Sequence, residues 1–363
     1  MISKGFYETL ELVAQERNLP IEDVLSKVEI ALAKACATEG FDGEIKIEFN
    51  YDKKRIRIFE IKTVIDEFDP EGPKGQITLE EAKEIKDRVR IGSEIKREIN
   101  LDSDIGRKGA SQFKQLFTQG LKELSRKRAY EFFKERENEM INATVLRVDD
   151  EAVILGIGLD YQSYMPIKDA LPGENLNVGD MIKVYITKVE ETGKGPKVYV
   201  SRVHRDIIKR LFENIVPEIA SGVIEVMGIA RDPGSRTKIG VKSHNPTVDP
   251  KGACVGVQGV RVKQINNALN GERVDIFIWH DDDPVQLIAE ALTPAKVLSV
   301  MIDEKEKKST VIVPDSQFSL AIGKGGQNAR LASQVTGWKI DIKDESTAYQ
   351  EGMKITFNVK NSF

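Results

Sequence analysis

The sequence predicts an α+β chain built from several domains, and three observations lead to this prediction. The length of 363 residues is enough for two to four domains. Helical and strand-like hydrophobic patterns occupy separate blocks along the chain. A pattern of helix, two strands, glycine loop, helix and strand occurs twice, with its loops 67 positions apart.

The composition is that of a soluble globular protein. Charged residues make up 31% of the chain and hydrophobic residues 40%, with a net charge of −4. No apolar stretch is long enough to cross a bilayer and the N-terminus lacks a signal-peptide core, so we expect a cytoplasmic protein without membrane contact. Cys36 and Cys254 are expected to be buried free thiols, and the histidines form no ligand set. The sequence predicts no metal and no cofactor.

The first domain, at residues 1–138, is predicted to be an α+β domain with a long helix. Helices contribute apolar residues every three or four positions, and half-buried strands alternate apolar and polar residues. The spacing is helical at 3–17, at 21–37 and from Ile105 to about Asn138, and strand-like at 44–49 and 55–64. The basic face of the long helix fits either a solvated surface or a contact with polymerase or RNA.

Residues 139–203 change to short alternating strands separated by Gly and Pro turns. Five such strands in so short a stretch predict a small closed barrel of the OB-fold type. The stretch GLDYQSYMPIKD resembles the S1-type barrel, in which an aromatic residue before a proline lies on the nucleic-acid face. By that resemblance Tyr164 is the candidate for stacking on a base, with Tyr161, Tyr185 and Tyr199 behind it. Packing in the core is the alternative for each tyrosine.

The two repeated loops have the sequence G-x-x-G. They are Gly256-Val257-Gln258-Gly259 and Gly323-Lys324-Gly325-Gly326. The second loop fits neither the Walker A pattern nor the Rossmann pattern, but it fits the clamp of KH modules, which holds the backbone of about four nucleotides. A single G-x-x-G also occurs in tight helix-to-helix turns. Because the surrounding elements repeat as well, we predict two tandem type II KH domains, at 204–280 and 281–345.

The candidate RNA contacts lie in the two loops, in the helices after them and in a basic hairpin before the first loop. Glycine lets a phosphate approach backbone N–H groups at a helix N-terminus, and Lys324 adds a cation. The candidates around the first loop are Gly256, Val257, Gln258, Gly259, Arg261 and Lys263. Those around the second loop are Gly323, Lys324, Gly325, Gly326, Gln327, Asn328 and Arg330.

The hairpin candidates are Arg231, Arg236, Lys238 and Lys242. The turn Asp232-Pro233-Gly234 is expected to leave these four basic side chains projecting from the hairpin and the strand beyond it. A solvated hairpin would look similar. The position one element before a G-x-x-G loop favours phosphate contact.

Four stretches resemble the NusA family of bacterial transcription factors: VIEVMGIARDPGSRTKIGVKS, VDPKGACVGVQGVRVKQI, GERVDI and LAIGKGGQNARLASQVTGWKIDI. The order of N-terminal domain, S1-type barrel and two KH domains extends the resemblance over nearly the whole chain. It implies a factor that binds RNA polymerase through the first domain and nascent single-stranded RNA through the other three. Such a factor modulates pausing, elongation, termination and antitermination, acting as a monomer with or without other antitermination factors.

The remaining residues, 346–363, form a tail that matches no pattern of the family. No acidic repeats follow the second KH domain, as they do in some relatives, so we expect no regulation through such repeats.

We expect a binding protein and not an enzyme. The alternative is an RNA-binding subunit of an RNA-processing or degradation enzyme, because phosphorolytic exonucleases also carry KH and S1-type modules. Such an enzyme needs a catalytic core with acidic metal ligands. The run Asp281-Asp282-Asp283 is the nearest candidate, but it directly precedes Pro284 and is expected to cap the helix that begins there.

Overall fold

The computed structural model describes residues 4–50 and 53–359, which form two compact units. The first unit comprises the chain up to Phe132 together with Thr192–Pro196. The second comprises Phe133–Glu191 and the chain from Lys197 onward. Within these described residues, no helix has the length and apolar character needed to cross a membrane.

Helices and one four-stranded sheet make up the first unit. Its elements are α1 (Lys4–Glu16), α2 (Ile21–Thr38), β1 (Glu44–Asn50), β2 (Arg55–Ile65), β3 (Gln76–Thr78), α3 (Leu79–Ile85), β4 (Glu94–Ile99), α4 (Leu101–Asp104) and α5 (Arg107–Lys134). Strand β2 pairs antiparallel with β1 and β4 and parallel with β3. The helices predicted at 3–17 and 21–37 and the strands predicted at 44–49 and 55–64 are confirmed, except that residue 3 lies outside the described residues.

The long helix α5 is shorter than the sequence suggested. It ends at Lys134, four residues before the predicted limit. The chain leaves the helix through a turn and reaches Asn138 with a φ of 68°, a left-handed conformation that asparagine tolerates better than most residues.

A single apolar core holds α1, α2 and α5 against the sheet. It contains Leu10 of α1, Val28 of α2, Ile56 and Ile58 of β2, and Leu121 of α5, all buried. Because side chains alternate between the two faces of a strand, Ile56 and Ile58 of β2 point to the same side and both enter this core. The first unit therefore buries apolar surface from each of its large elements.

Both cysteines are buried and unpaired, as predicted. Burial and the nearby Glu60 carboxylate raise the pKa of Cys36 to about 11. Burial and the Glu218 carboxylate raise the pKa of Cys254 to about 12. Both thiols therefore stay protonated and unreactive at neutral pH.

The second unit begins with a five-stranded barrel, which confirms the five strands predicted there. Its strands are β5 (Met140–Val148), β6 (Ala152–Gly158), β7 (Tyr161–Pro166), β8 (Met181–Thr192) and β9 (Gly195–Ser201), in the spatial order β7-β6-β5-β8-β9. The two outer strands approach each other where the Ser163 hydroxyl donates to the Val198 carbonyl oxygen at 2.8 Å. This contact brings the sheet close to full closure.

Two KH domains follow the barrel, each with a three-stranded sheet. The first has α6 (Asp206–Ile215), α7 (Pro217–Ala220), β10 (Ile224–Asp232), β11 (Arg236–Ser243), α8 (Pro250–Val255), α9 (Val260–Ala268) and β12 (Arg273–Ile278). The second has α10 (Pro284–Ala291), β13 (Ser299–Asp303), β14 (Lys308–Val313), α11 (Phe318–Ile322), α12 (Gln327–Thr336), β15 (Lys339–Asp344) and α13 (Glu345–Gln350).

The same topology explains where each G-x-x-G loop lies. The middle strand pairs antiparallel with the strand before it and parallel with the closing strand. A parallel partner requires a crossover connection, and here the crossover is a pair of helices. The loops Gly256–Gly259 and Gly323–Gly326 are the junctions within those helix pairs.

Two local contacts complete the second KH domain. The Asp283 carboxylate accepts a hydrogen bond from the backbone N–H of Gln286 at 3.0 Å, which confirms it as the cap of α10. Beyond α13 the chain reaches β13, one of the two edge strands of its sheet. There the Asn358 side chain accepts from the Val300 N–H at 3.0 Å and donates to the Val300 carbonyl at 2.9 Å.

Candidate nucleic-acid interface

The two G-x-x-G loops have nearly the same backbone conformation. The φ and ψ angles of their first residues are 75° and 169° for Gly256 and 76° and 171° for Gly323. The third and fourth residues also have positive φ: 52° at Gln258, 74° at Gly259, 58° at Gly325 and 74° at Gly326. The repeat seen in the sequence is thus a repeat of local geometry as well.

The first glycine of each loop is required by a close approach. A Cβ at Gly256 would lie 2.8 Å from Cγ of Arg261, and one at Gly323 would lie 2.8 Å from Cβ and 2.9 Å from the backbone nitrogen of Asn328. Both neighbours lie in the first turns of the following helices, α9 and α12. The glycines therefore let each helix begin directly against its loop, with its N-terminus beside the bare backbone.

A helix N-terminus beside an exposed loop is suited to binding an anion. The first N–H groups of a helix have no partner inside the helix, and the helix dipole favours negative charge there. The two loops differ in the side chains they add. Val257 is 85% exposed in the first loop, whereas the exposed residue at the same place in the second is the cation Lys324.

Arg261 and Asn328 occupy equivalent positions, and each supports its loop by contacts with the rest of the protein. Arg261 donates to the Ala253 carbonyl at 2.6 Å and forms an ion pair with Glu218 at 3.0 Å. Asn328 is fully buried, and its amide donates to the carbonyls of Leu292 and Ala321, both at 3.0 Å. Burial removes Asn328 from the surface that RNA can reach. Its role is to hold the loop in shape.

The expectation that Arg231 projects from the hairpin is wrong. Its side chain is 2% exposed and forms a two-pronged ion pair with the fully buried Glu272, at 2.9 and 2.8 Å. Its remaining nitrogen donates to the carbonyls of Arg202 and His204. Because each of its three nitrogens donates at least one hydrogen bond, this side chain joins the hairpin to the segment that follows the barrel.

Arg236 and Lys238 also differ from that expectation, because both side chains face Asp275 on β12. The carboxylate of Asp275 accepts from Arg236 at 2.7 Å and from Lys238 at 3.3 Å. Lys238 is fully buried and also donates to the Thr293 carbonyl of the second KH domain at 2.8 Å. Burial, with help from the Arg236 charge, lowers the pKa of Lys238 to about 8. Of the four hairpin cations, Lys242 has the most exposed side chain, which forms an ion pair with Asp281.

Gln327 and Arg330 lie in the first turn of α12 and contact the hairpin of the first KH domain. The Gln327 amide donates to the Asp232 carboxylate at 2.8 Å and to the Ser235 hydroxyl at 2.9 Å. Arg330 forms a two-pronged ion pair with the same carboxylate. Burial acts to raise the pKa of Asp232, but these hydrogen bonds outweigh it, so the pKa lies below its ordinary value. Lys263, on α9, is exposed.

Among the barrel tyrosines, Tyr164 has the most accessible ring. It is 52% exposed on β7, whereas Tyr185 is buried and stacks on His204 with 4.5 Å between ring centroids. Tyr199 is half-buried, donates to Glu190 at 2.8 Å and lies under the Lys197 ammonium. Core packing, the alternative for each tyrosine, therefore describes Tyr185 and not Tyr164.

Sequence reasoning missed the residues that join the three modules of the second unit. Arg202, 2% exposed, pairs with Glu174 of the barrel and donates to the Ala268 carbonyl of the first KH domain at 3.1 Å. Between the KH domains, a Cβ at Gly228 would lie 3.0 Å from the Trp279 ring and 3.1 Å from Val335 of α12. The absence of a side chain at Gly228 thus lets β10 and α12 pack closely.

Comparison with known proteins decides the family. The chain is 41% identical over 353 residues to the transcription termination/antitermination protein NusA of Bacillus subtilis, an alignment that covers 97% of this chain and 94% of that protein. The chain belongs to the NusA family. The NusA protein of Thermus thermophilus is 37% identical over 357 residues, covering 94% of this chain and 90% of its own length.

Three domain models of the family match this chain, in the order in which its domains follow one another in the sequence. The NusA N-terminal domain matches residues 5–127, the NusA-like first KH domain 202–279 and the NusA-like second KH domain 284–350. The solution structure of the N-terminal domain of NusA from B. subtilis is 27% identical and covers 34% of this chain and 97% of that one, with a TM-score of 0.25. The KH domains indicate RNA binding.

Proposed function

We propose that this member of the NusA family binds RNA polymerase through residues 1–138 and nascent single-stranded RNA through residues 139–345. It acts as a monomer without catalytic activity of its own, modulating pausing, elongation, termination and antitermination, with or without other antitermination factors. The observation that carries the RNA-binding part is the pair of loops with one conformation, each at the N-terminus of a helix.

The set of RNA contacts follows from accessibility. The backbone of both loops, Val257, Gln258 and Lys324 form the two clamps, and Lys263 and Arg330 add charge beside them. Tyr164 supplies a ring for base stacking in the barrel. Arg231, Arg236, Lys238 and Asn328 are left out, because their side chains are buried or paired inside the protein. Arg261 supports its loop.

The three RNA-binding modules act as one continuous surface in this proposal. The contacts of Arg202 join barrel and first KH domain, and those of Lys238 and Asp232 join the KH domains. RNA long enough to reach several modules should therefore bind more tightly than RNA that fills one. A measured affinity that stayed constant as the RNA was lengthened would contradict this.

The clamps are tested by placing carboxylates where phosphates are expected. Lys324→Asp with Gly325→Asp should weaken RNA binding and flatten the slope of log affinity against log salt, because each phosphate neutralised on a single strand contributes roughly −0.7. Val257→Asp with Gln258→Asp should weaken binding with less change of slope, since no lysine is lost. The measurement is fluorescence anisotropy of labelled RNA at several salt concentrations.

The matched control is Lys305→Asp, compared with Lys324→Asp alone. Lys305 is an exposed lysine in the turn between β13 and β14, so both substitutions change the net charge equally. If the control weakens RNA binding as much as Lys324→Asp, the effect is one of overall charge. If both double variants keep their RNA affinity and their circular dichroism spectra are unchanged, the clamp proposal is refuted.

The polymerase-binding part is tested separately. Residues 1 to about 135 contain their own apolar core and are expected to fold alone. The isolated fragment should compete with the full chain for RNA polymerase. A folded fragment that fails to compete would overturn the assignment of polymerase binding to this domain.

A further inference from the structure

The carboxylate of Asp232, in the first KH domain, lies against the first turn of α12, the helix that follows the second G-x-x-G loop. Asp232, the last residue of β10, accepts from the Gln327 amide at 2.8 Å and from both terminal nitrogens of Arg330. Gln327 is the first residue of α12 and directly follows the second G-x-x-G loop. The Asp232 charge is therefore held beside the place where the second clamp is expected to grip RNA.

The donors that hold Asp232 are the ones that a phosphate would use. A guanidinium binds a carboxylate and a phosphate through the same two-pronged geometry, and the start of a helix favours either anion. The Gln327 side-chain amide and both terminal nitrogens of Arg330 donate to Asp232 in the structure. A phosphate of the RNA backbone that binds the same two-pronged face of Arg330 must displace Asp232.

We propose that Asp232 is a built-in substitute for an RNA phosphate, through which the first KH domain lowers the affinity of the second clamp. The inference rests on the proposed RNA-binding function of that clamp. When RNA enters, Arg330 exchanges the carboxylate for a phosphate, and the unpaired Asp232 charge then repels the strand. The hairpin of the first KH domain thereby sets the RNA affinity of the clamp in the second KH domain.

The exposure of the pair makes this exchange possible. The Arg330 side chain is 50% exposed and that of Asp232 25% exposed, so water and salt weaken their attraction and can reach both groups. The nearby pair of Arg231 and Glu272 differs in this respect, because both side chains are almost fully buried. That pair is permanent structure, whereas the Asp232 pair lies at the surface and can open.

The test is Asp232→Asn in the full chain. Asparagine keeps the size of the side chain and an oxygen that can accept from Gln327, but it loses the charge. We expect RNA to bind roughly fivefold more tightly at low salt, which is the size of one ion-pair attraction in a largely aqueous setting that the phosphate no longer has to displace. The salt slope should become steeper by up to roughly 0.7, because Arg330 then neutralises a phosphate without leaving a carboxylate unpaired.

A double-variant cycle shows whether Asp232 acts through Arg330. Arg330→Gln alone should weaken RNA binding, and Asp232→Asn should gain less in the Arg330→Gln background than in the unchanged chain, because only the repulsion between the carboxylate and the strand is then relieved. A full gain in that background would overturn the proposed exchange. Unchanged or weaker binding by Asp232→Asn would also overturn it, since the contact would then serve only to hold the two KH domains in register.

The outcomes separate this inference from the proposed function. If Arg330→Gln and the Lys324, Gly325 double variant both leave RNA affinity unchanged, the clamp itself is not an RNA site. If those variants weaken binding while Asp232→Asn does not strengthen it, the clamp stands and the inference about Asp232 fails. Thermal unfolding of Asp232→Asn, compared with the unchanged chain, checks that the variant is folded.

Discussion

The buried ammonium of Lys238 makes the stability of the KH pair depend on pH. Its pKa is about 8 in the folded protein against an ordinary value of 10.5. Between these values the unfolded chain binds a proton that the folded chain does not, so stability rises with pH in this window. Below pH 8 both states are protonated, and burying the charge costs about 3 kcal/mol. Above pH 10.5 both are neutral and this cost is gone.

Replacing Lys238 with methionine isolates this effect. The difference in unfolding free energy between the unchanged chain and Lys238→Met should rise by about 2 kcal/mol from pH 7 to pH 9.5, in favour of the unchanged chain. Other titrating groups are common to both proteins and cancel in the difference. Any constant cost, such as the lost hydrogen bond to Thr293, shifts the difference curve without tilting it.

Urea unfolding followed by tryptophan fluorescence is a suitable assay. The chain has two tryptophans, Trp279 and Trp338, and both lie in the KH pair, so the signal reports on this region. Lys242→Met is the control, because the Asp281 hydrogen bond raises the pKa of Lys242 and keeps it charged throughout the range. A flat or falling difference curve for Lys238→Met would refute the reasoning.

Two further substitutions test the loop and the junction between modules. Gly323→Ala should destabilise the second KH domain by about 3 kcal/mol, because its backbone conformation excludes a side chain and its Cβ would overlap Asn328. Gly337→Ala, with positive φ but open space around it, should cost about 1 kcal/mol in the same urea assay. Arg202→Met should cost about 3 to 5 kcal/mol, because it leaves the Glu174 carboxylate buried without its partner. The exposed Arg205→Met is its control, and equal losses in thermal unfolding would contradict the role given to Arg202.

The sequence could predict the features that depend on residues close to one another in the chain. The G-x-x-G loops were visible because a left-handed backbone beside a helix start selects glycine, and the same selection acts at Gly256 and Gly323. Helices α1, α2 and α10 were predicted because their apolar residues recur at helical spacing within one segment. The five barrel strands followed from alternation between Gly and Pro turns.

The features that sequence missed depend on partners far along the chain. Arg236 and Lys238 meet Asp275 only because β11 pairs parallel with β12, which sets Lys238 opposite Asp275. A basic hairpin therefore looked like a phosphate site, although its charges are neutralised from another strand. Parallel pairing of the predicted strands was the signal that could have indicated these ion pairs in advance.

Short elements in the first unit were also missed. Strand β3 has three residues, too few for alternation to stand out. Strand β4 reads EIKREI, in which the two buried isoleucines are separated by charged residues. Its pairing with β2, and not its own pattern, makes it a strand.

The Asn358 amide has a consequence for how the protein behaves at high concentration. The outer strand of a sheet presents backbone groups that can recruit a strand from another molecule. At Val300 both of those groups are already occupied by one side chain, whose amide has the same donor and acceptor as a peptide bond. A strand from another molecule cannot pair with β13 at this point until Asn358 withdraws. The segment that contains Asn358 therefore protects this edge of the sheet against aggregation.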